Sequence, residues 1–370
     1  MPILVSMDAD AMPIDKLKIE LKSRYSYIHL VSSLIPGLPA HPEVSRTLQY
    51  TGRWIDSASE SELRSRTPEL LAALDAMVGL AQQQLPPKLD WRQIAADHWE
   101  NCKDTAFSWS SGVSYGWLAE RFDCSRLRIS DDMPYHARIG VGHHAGNAAI
   151  EEDFLIRDAF FMLAKCRASL VRLERFRDEL KTEHVARDRY KLVSMFNQNV
   201  ATYARYAVFG FYSFVECLIN SIGEDFIARN PSLSSNAREL LRGKKDGRYL
   251  SVERKLDLFP SLIRSDGKRP IVLSDPAQIC EPYASFANHV KEIRDSAAHF
   301  AQTKAEIIVP PQVWEKRASD AAIVCLSVAR GFWAACYPGR PLPLYLGQLD
   351  DARHAQLADQ RVKMEMEEMS

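Results

Sequence analysis

Apolar residues recur at three- and four-residue spacing along most of the chain, with charged residues between them, which is the signature of packed amphipathic helices. Between Ala148 and Leu192, Phe154, Phe161, Leu170, Leu173, Phe176 and Leu180 keep this spacing and predict one long helix connecting two halves. Tyr203 to Ala228 reads as a long apolar helix, ended by Asn230-Pro231-Ser232. Ser234 is placed to cap a short helix reaching Leu241. Beyond the Gly243 to Gly247 turn, Ser251 opens a helix with Glu253 and Lys255 in its first turns. A Pro/Gly/Asp-rich loop is expected over Pro260 to Pro276, then a helix from Ala277 to Thr303. A last apolar helix, Trp314 to Cys336, follows Pro310-Pro311.

The N-terminal part is mixed. A helix ending at Gln84 is expected to start with Thr67 as cap and Pro68 in its first position. A Trp-rich segment, Trp91 to Trp117, reads as core, and Leu127 to Ser130 as a short strand. The expected fold class is therefore mainly α: a C-terminal antiparallel helical bundle behind an N-terminal α+β or mostly helical domain. The expected boundaries are 1–147 for that domain, 148–192 for the connecting helix, 193–347 for the bundle and 348–370 for a loose helical tail.

Composition narrows the class. The chain has 370 residues, 47 Lys+Arg against 48 Asp+Glu, and 46% hydrophobic residues, so it can bury a large core and carries almost no net charge. Any nucleic-acid partner must be met by a local basic patch. The start, MPILVSMDADAMP, has no basic region followed by an apolar core, and the apolar runs Ala207 to Ile222 and Ala321 to Tyr337 are shorter than a bilayer requires. Seven dispersed cysteines without a CxxC pair argue against a disulfide framework or zinc ribbon. A cytoplasmic protein without membrane contact, cofactor or metal is expected.

The segment KEIRDSAAHFA, Lys291 to Ala301, places an arginine, an aspartate and a histidine within six positions. It reads either as a helix with a charged outer face or as a phosphate-handling site. On a wheel of about 100° per residue, Phe286, Val290, Ile293, Ala297 and Phe300 form a core stripe, with Arg294 at its edge and Asp295 and His299 opposite. Arginine with histidine suits metal-independent RNA cleavage: the 2′-hydroxyl is the nucleophile, an imidazole moves its proton, and a guanidinium offsets charge at phosphorus. Spacing alone decides little, because Arg24/His29, Arg92/His98, Arg138/His143 and Arg138/His144 are spaced similarly.

Context adds to it. The motif Arg294-Asp295-Ser296-Ala297-Ala298-His299, the acid Glu216 inside FGFYSFVECLINSI, and the later helix SVERKLDLFPSL together resemble a HEPN domain (higher eukaryotes and prokaryotes nucleotide-binding) over about 200–337. The resemblance implies a compact antiparallel bundle, with Arg294 and His299 catalytic, Asp295 orienting them and Glu216 lining the site. It also implies a homodimer joined through the motif helix, and a bacterial toxin or antiviral defence ribonuclease, with an antitoxin or regulatory protein as possible partner. The alternative it leaves open is a non-catalytic module that binds nucleotide, RNA or protein.

Seven basic residues, Arg238, Arg242, Lys244, Lys245, Arg248, Arg254 and Lys255, stand against three acids over the same stretch and form a candidate RNA-binding patch. Gly140, Gly142 and Gly146 give GxGxxxG, one residue off a dinucleotide fingerprint, so nucleotide binding is not expected there. His143 and His144 with Glu151 and Glu152 are weighed as metal ligands and set aside, since adjacent histidines on a strand point apart.

Overall fold

The computed structural model describes residues 12–32, 34–35, 54–102, 112–127, 133–141, 148–182, 187–275, 278–298, 306, 308–342 and 351–367. The chain is mainly helical and divides into two compact units, Met1–Ala149 and Ile150–Ser370.

In the first unit, α1 (Ile14–Ser32) packs against α2 (Glu60–Gln84) and α3 (Trp91–Cys102). Leu17, Leu21 and Ile28 of α1 are fully buried, as are Leu74 of α2 and Ile94 of α3. α2 starts seven residues before the expected Thr67 cap. Ser59 and Glu62 form a reciprocal capping box there, and Pro68 lies inside the helix, so Thr67 is a buried helical residue. A three-stranded antiparallel sheet, β1 (Gly112–Ser114), β2 (Arg138–Gly140) and β3 (Ala148–Ala149), completes the unit with α4 (Tyr115–Arg121), which Ser114 caps. Leu127 lies in a bend, and the rest of the expected Leu127 to Ser130 strand lies outside the described residues, as do Gly142, His143, His144 and Gly146.

The second unit is a helical bundle. Its spine is the pair α5 (Glu151–Thr182) and α6 (Arg187–Arg229), which run antiparallel: Glu152 meets Ser221, Phe160 meets Phe211, and Phe176 stacks on Phe196. The expected connecting helix is therefore two helices, and both belong to the core of this unit. α7 (Ser235–Leu241) and α8 (Val252–Ile263) start at the caps Ser234 and Ser251. Pro260 falls inside α8, so the loop begins after Ile263.

A short turn, Tyr283–Ser285, leads through a π-helical segment, Phe286–Val290, into α9 (Lys291–Ala298). α10 (Pro311–Cys336) starts with proline in its first turn and buries Trp314, Cys325, Leu326 and Phe332 against the spine. α11 (Asp351–Glu367) is not a loose tail: it packs on α5, with Ala358 and Val362 in the core and His354 stacked on Phe160 at 5.5 Å.

The two helices holding the apolar runs are longer than the runs themselves. Tyr190–Arg229 and Pro311–Cys336 are long and apolar enough, by length and composition only, to cross a membrane. Of their most apolar windows, 61% and 50% is buried inside the protein, as for core helices of a bundle.

Close helix packing at the bundle's end depends on one glycine. A Cβ at Gly223 of α6 would stand 2.4 Å from the Leu241 carbonyl oxygen and 2.8 Å from the Phe259 ring. The carbonyl is backbone and cannot swing aside, so Gly223→Ala is expected to cost about 1–3 kcal/mol. Gly79→Ala in α2, with nothing within 4 Å, is expected to be neutral or stabilising by about 0.5–1 kcal/mol. Denaturant unfolding of both variants checks the contrast; a neutral Gly223→Ala would refute the close approach.

Candidate functional site

A polar cluster is assembled where α6, α8 and α9 meet. α6 contributes Tyr212, Glu216 and Asn220, which its four-residue repeat lines up along one face. α8 contributes Glu253 and Lys255 from its first turns, and α9 contributes Lys291, Arg294 and Asp295.

Arg294 is the best-anchored member. Its guanidinium carbon lies 4.1 Å from the centre of the Tyr212 ring, and Tyr212 is itself stacked on Phe286 at 5.2 Å with an interplanar angle of 6°. Arg294 Nη1 lies 2.8 Å from Asp295 Oδ1, while Nε is buried and has no hydrogen-bond partner. A buried N–H without an acceptor is unfavourable, so the guanidinium is held in place but its donors are not saturated. Burial pushes the Tyr212 phenol up to about 12, against the pull of the neighbouring Arg294 charge, so the ring stays neutral beneath the guanidinium.

Asp295 is held from two sides. Lys291 Nζ lies 3.0 Å from Oδ2, one helical turn away, while Arg294 holds Oδ1. Lys291 also approaches Glu253 at 3.8 Å, and Glu253 Oε1 is buried without a hydrogen bond. With its side chain only 16% exposed, Asp295 does not face open solvent, as the wheel implied. The cover comes from its neighbours: Lys291 lies over it, and Glu253 of α8 stands on the same side. Phe286, Val290 and Ile293 are buried and Ala297 packs partly against the core, as the stripe requires, and Ser296 joins them. His299 and Phe300 lie outside the described residues.

Glu216 and Lys255 form the far edge of the cluster. Lys255 Nζ lies 3.4 Å from Glu216 Oε1 and donates to Asn220 Oδ1 at 3.0 Å. The Lys255 side chain is 6% exposed and that of Glu216 41%, so the lysine is an internal partner of the cluster and not the surface cation the sequence suggests. The left-handed Gly243 (φ 70°) makes room for it: a Cβ there would stand 2.6 Å from Lys255 Cε.

The remaining basic residues divide by role. Arg238 is spent on the backbone, donating to the Leu233 and Pro231 carbonyls and tying the α6–α7 turn. Arg254 lies 3.6 Å from the buried Asp257, which Arg269 approaches at 2.7 Å. Arg242 is 3.7 Å from Glu224 and exposed; Lys244, Lys245 and Arg248 stand on a hairpin beside it. Among the described residues, no group of three or more His, Cys, Asp or Glu side chains is placed to hold a metal ion.

The sequence reading found Arg294, Asp295 and Glu216 and missed Tyr212, Asn220, Glu253 and Lys291. A signal was present for three of them: Tyr212 and Asn220 flank Glu216 at i−4 and i+4, and Lys291 is i−4 from Asp295. No protein-family model, curated protein or solved structure matches the chain.

Proposed function

We propose that the second unit is a HEPN-like, metal-independent endoribonuclease whose site is the Arg294–Asp295 pair together with His299. The observation that carries this reading is the bracing of Arg294: a guanidinium held over the Tyr212 ring, paired to Asp295 and not saturated with hydrogen bonds. Fixed cationic donors aimed where charge develops are what phosphoryl transfer needs. The sequence supplies His299 four positions beyond Asp295.

In the proposed reaction the RNA 2′-oxygen attacks the adjacent phosphorus, the bond from phosphorus to the 5′-oxygen breaks, and a 2′,3′-cyclic phosphate and a 5′-hydroxyl result. His299 takes the 2′-hydroxyl proton, water supplies one to the departing 5′-oxygen, and Arg294 bears the charge on the non-bridging oxygens. Asp295 holds Arg294 and, through the i,i+4 spacing, favours the charged imidazole. Two copies meeting through α9 would supply two such motifs to one cleft. We place the activity in the cytoplasm, as a toxin or antiviral defence ribonuclease restrained by an antitoxin or regulatory protein.

One feature favours a second reading. Arg294 already has Asp295 and an aromatic face as partners. A guanidinium so occupied also suits a non-catalytic module that holds a nucleotide, RNA or protein.

The deciding test is cleavage of mixed cellular RNA by the purified chain in EDTA, beside folded His299→Ala and Arg294→Ala variants. Cleavage that survives EDTA and vanishes in both variants is the expected result. An inactive wild type would favour the binding module, and activity unchanged in the variants would exclude these residues.

A further inference from the structure

The hairpin at Lys244–Tyr249 is not absorbed by the Arg294 cluster, yet it is rooted beside it. β4 (Lys244–Lys245) pairs antiparallel with β5 (Arg248–Tyr249) around a two-residue turn, Asp246 (φ 51°) and Gly247 (φ 73°). Such a turn needs positive φ at both central positions, which Asp-Gly tolerates. The turn is fixed by Gly247 N–H donating to Glu239 Oε1 at 3.0 Å, and the base is closed by Leu250 N–H donating to the Gly243 carbonyl at 2.8 Å. This is a rigid support for exposed side chains.

What it presents is unusual for ordinary surface. Tyr249 is 79% exposed, and the Lys244 ammonium lies 5.0 Å from the centre of its ring. Lys244 and Tyr249 are opposite each other in the ladder, as are Lys245 and Arg248, so the aromatic with one cation occupies one face and two cations the other. Lys245 and Arg248 are exposed and have no ion-pair partner among the described residues. The nearby acids are Asp246 at the tip, Glu239, which accepts from the turn, and Glu224 beside Arg242.

An exposed ring with a cation on it, and two further cations on the reverse face of the same two-residue-wide ladder, match a nucleobase whose flanking phosphates pass the hairpin edge better than a protein partner, which would ask for apolar neighbours around the tyrosine. The hairpin also leads to the proposed site: Gly243, at its base, touches Lys255, which holds Glu216 and Asn220 of the cluster. We propose that this hairpin is a clamp for single-stranded RNA: a base stacks on Tyr249, displacing Lys244 from the ring, while Lys244, Lys245 and Arg248 meet the flanking phosphates. This rests on the ribonuclease reading for the identity of the strand, but the binding itself needs no cleavage.

The test is fluorescence anisotropy of a labelled short oligouridylate, and of an RNA duplex of equal length, with the 370-residue Arg294→Ala chain in EDTA. Tyr249→Ala in that background is expected to weaken single-strand binding by about 10-fold or more, while Tyr249→Trp retains it. Lys245→Ala with Arg248→Ala is expected to weaken binding and to flatten its salt dependence by roughly 1.4 in the logarithmic slope, for two lost phosphate contacts. Tyr249→Ala binding within about twofold of its parent, or a parent that prefers duplex regardless of Tyr249, overturns the clamp. Tyr249-dependent binding by a wild-type chain that cuts no RNA would leave the clamp standing and remove the ribonuclease. Cleavage with binding indifferent to Tyr249 would do the reverse.

Discussion

Arg294→Lys is expected to lose RNA cleavage nearly as completely as Arg294→Ala, by about 100- to 1,000-fold in single-turnover rate. A lysine keeps the charge and the length, so a site that needed only a positive charge would tolerate it. The geometry asks for more. The guanidinium carbon sits over the Tyr212 ring at 4.1 Å, and Tyr212 is in turn stacked almost parallel on Phe286. An ammonium is not planar, is more strongly hydrated and has no fork to share between Asp295 and a phosphate. Tyr212, under the Arg294 guanidinium, is expected to act as a positioning residue. Tyr212→Phe keeps the ring beneath Arg294 and is expected to keep most of the rate, whereas Tyr212→Leu is expected to lose about 10- to 100-fold through misplacement of the charge. Cleavage time courses in EDTA, on variants whose circular dichroism and unfolding midpoints match wild type, check both statements. Full activity in Arg294→Lys would mean that the stack on Tyr212 is packing alone.

Helical periodicity made the second unit legible because its helices have capping serines and proline breaks at their ends, as Ser234, Ser251 and Pro311 show. Where two rules competed, the wrong one was easy to choose. Thr67-Pro68 looks like a helix start, but the capping box at Ser59 and Glu62 satisfies two backbone donors and wins, leaving the proline inside. The break between α5 and α6 carries no glycine or proline in the sequence, so one long helix was the natural reading. Pairing the two as antiparallel neighbours buries far more apolar surface than an extended connector does. α11 was misread for a related reason: its polar composition hides a narrow stripe, His354, Ala358 and Val362, which only a partner such as α5 makes meaningful. Within the site, charge type was readable but depth was not. Lys255 reads as one of seven surface cations, yet Asn220 and Glu216, 35 and 39 positions earlier, draw it inside. Partners that distant in sequence leave no local pattern.

The first unit is expected to lose stability steadily as the pH falls below about 6.5, because it buries a pair of imidazoles. His98 of α3 is fully buried and its Nε2 lies 3.1 Å from Nδ1 of His29 on α1, with the two rings stacked at 5.4 Å. Burial holds the His98 imidazole down at about 3, far below the ordinary histidine range. Folding therefore favours the neutral ring, while the unfolded chain binds a proton near pH 6.5. The resulting stability is fully present above that pH and is lost progressively as the pH falls from about 6.5 toward 3. The linked loss reaches up to about 5 kcal/mol, against a total of roughly 5–15 kcal/mol for a typical domain. Five of the seven tryptophans (Trp54, Trp91, Trp99, Trp109 and Trp117) precede residue 150, so tryptophan fluorescence during a pH titration reports this unit. His98→Gln keeps a polar group of similar size and removes the titration. It is expected to cost some stability at neutral pH and to flatten the acid dependence. An acid transition of the first unit that is unchanged in His98→Gln would assign it to other groups and would mean that water reaches the His29–His98 pair.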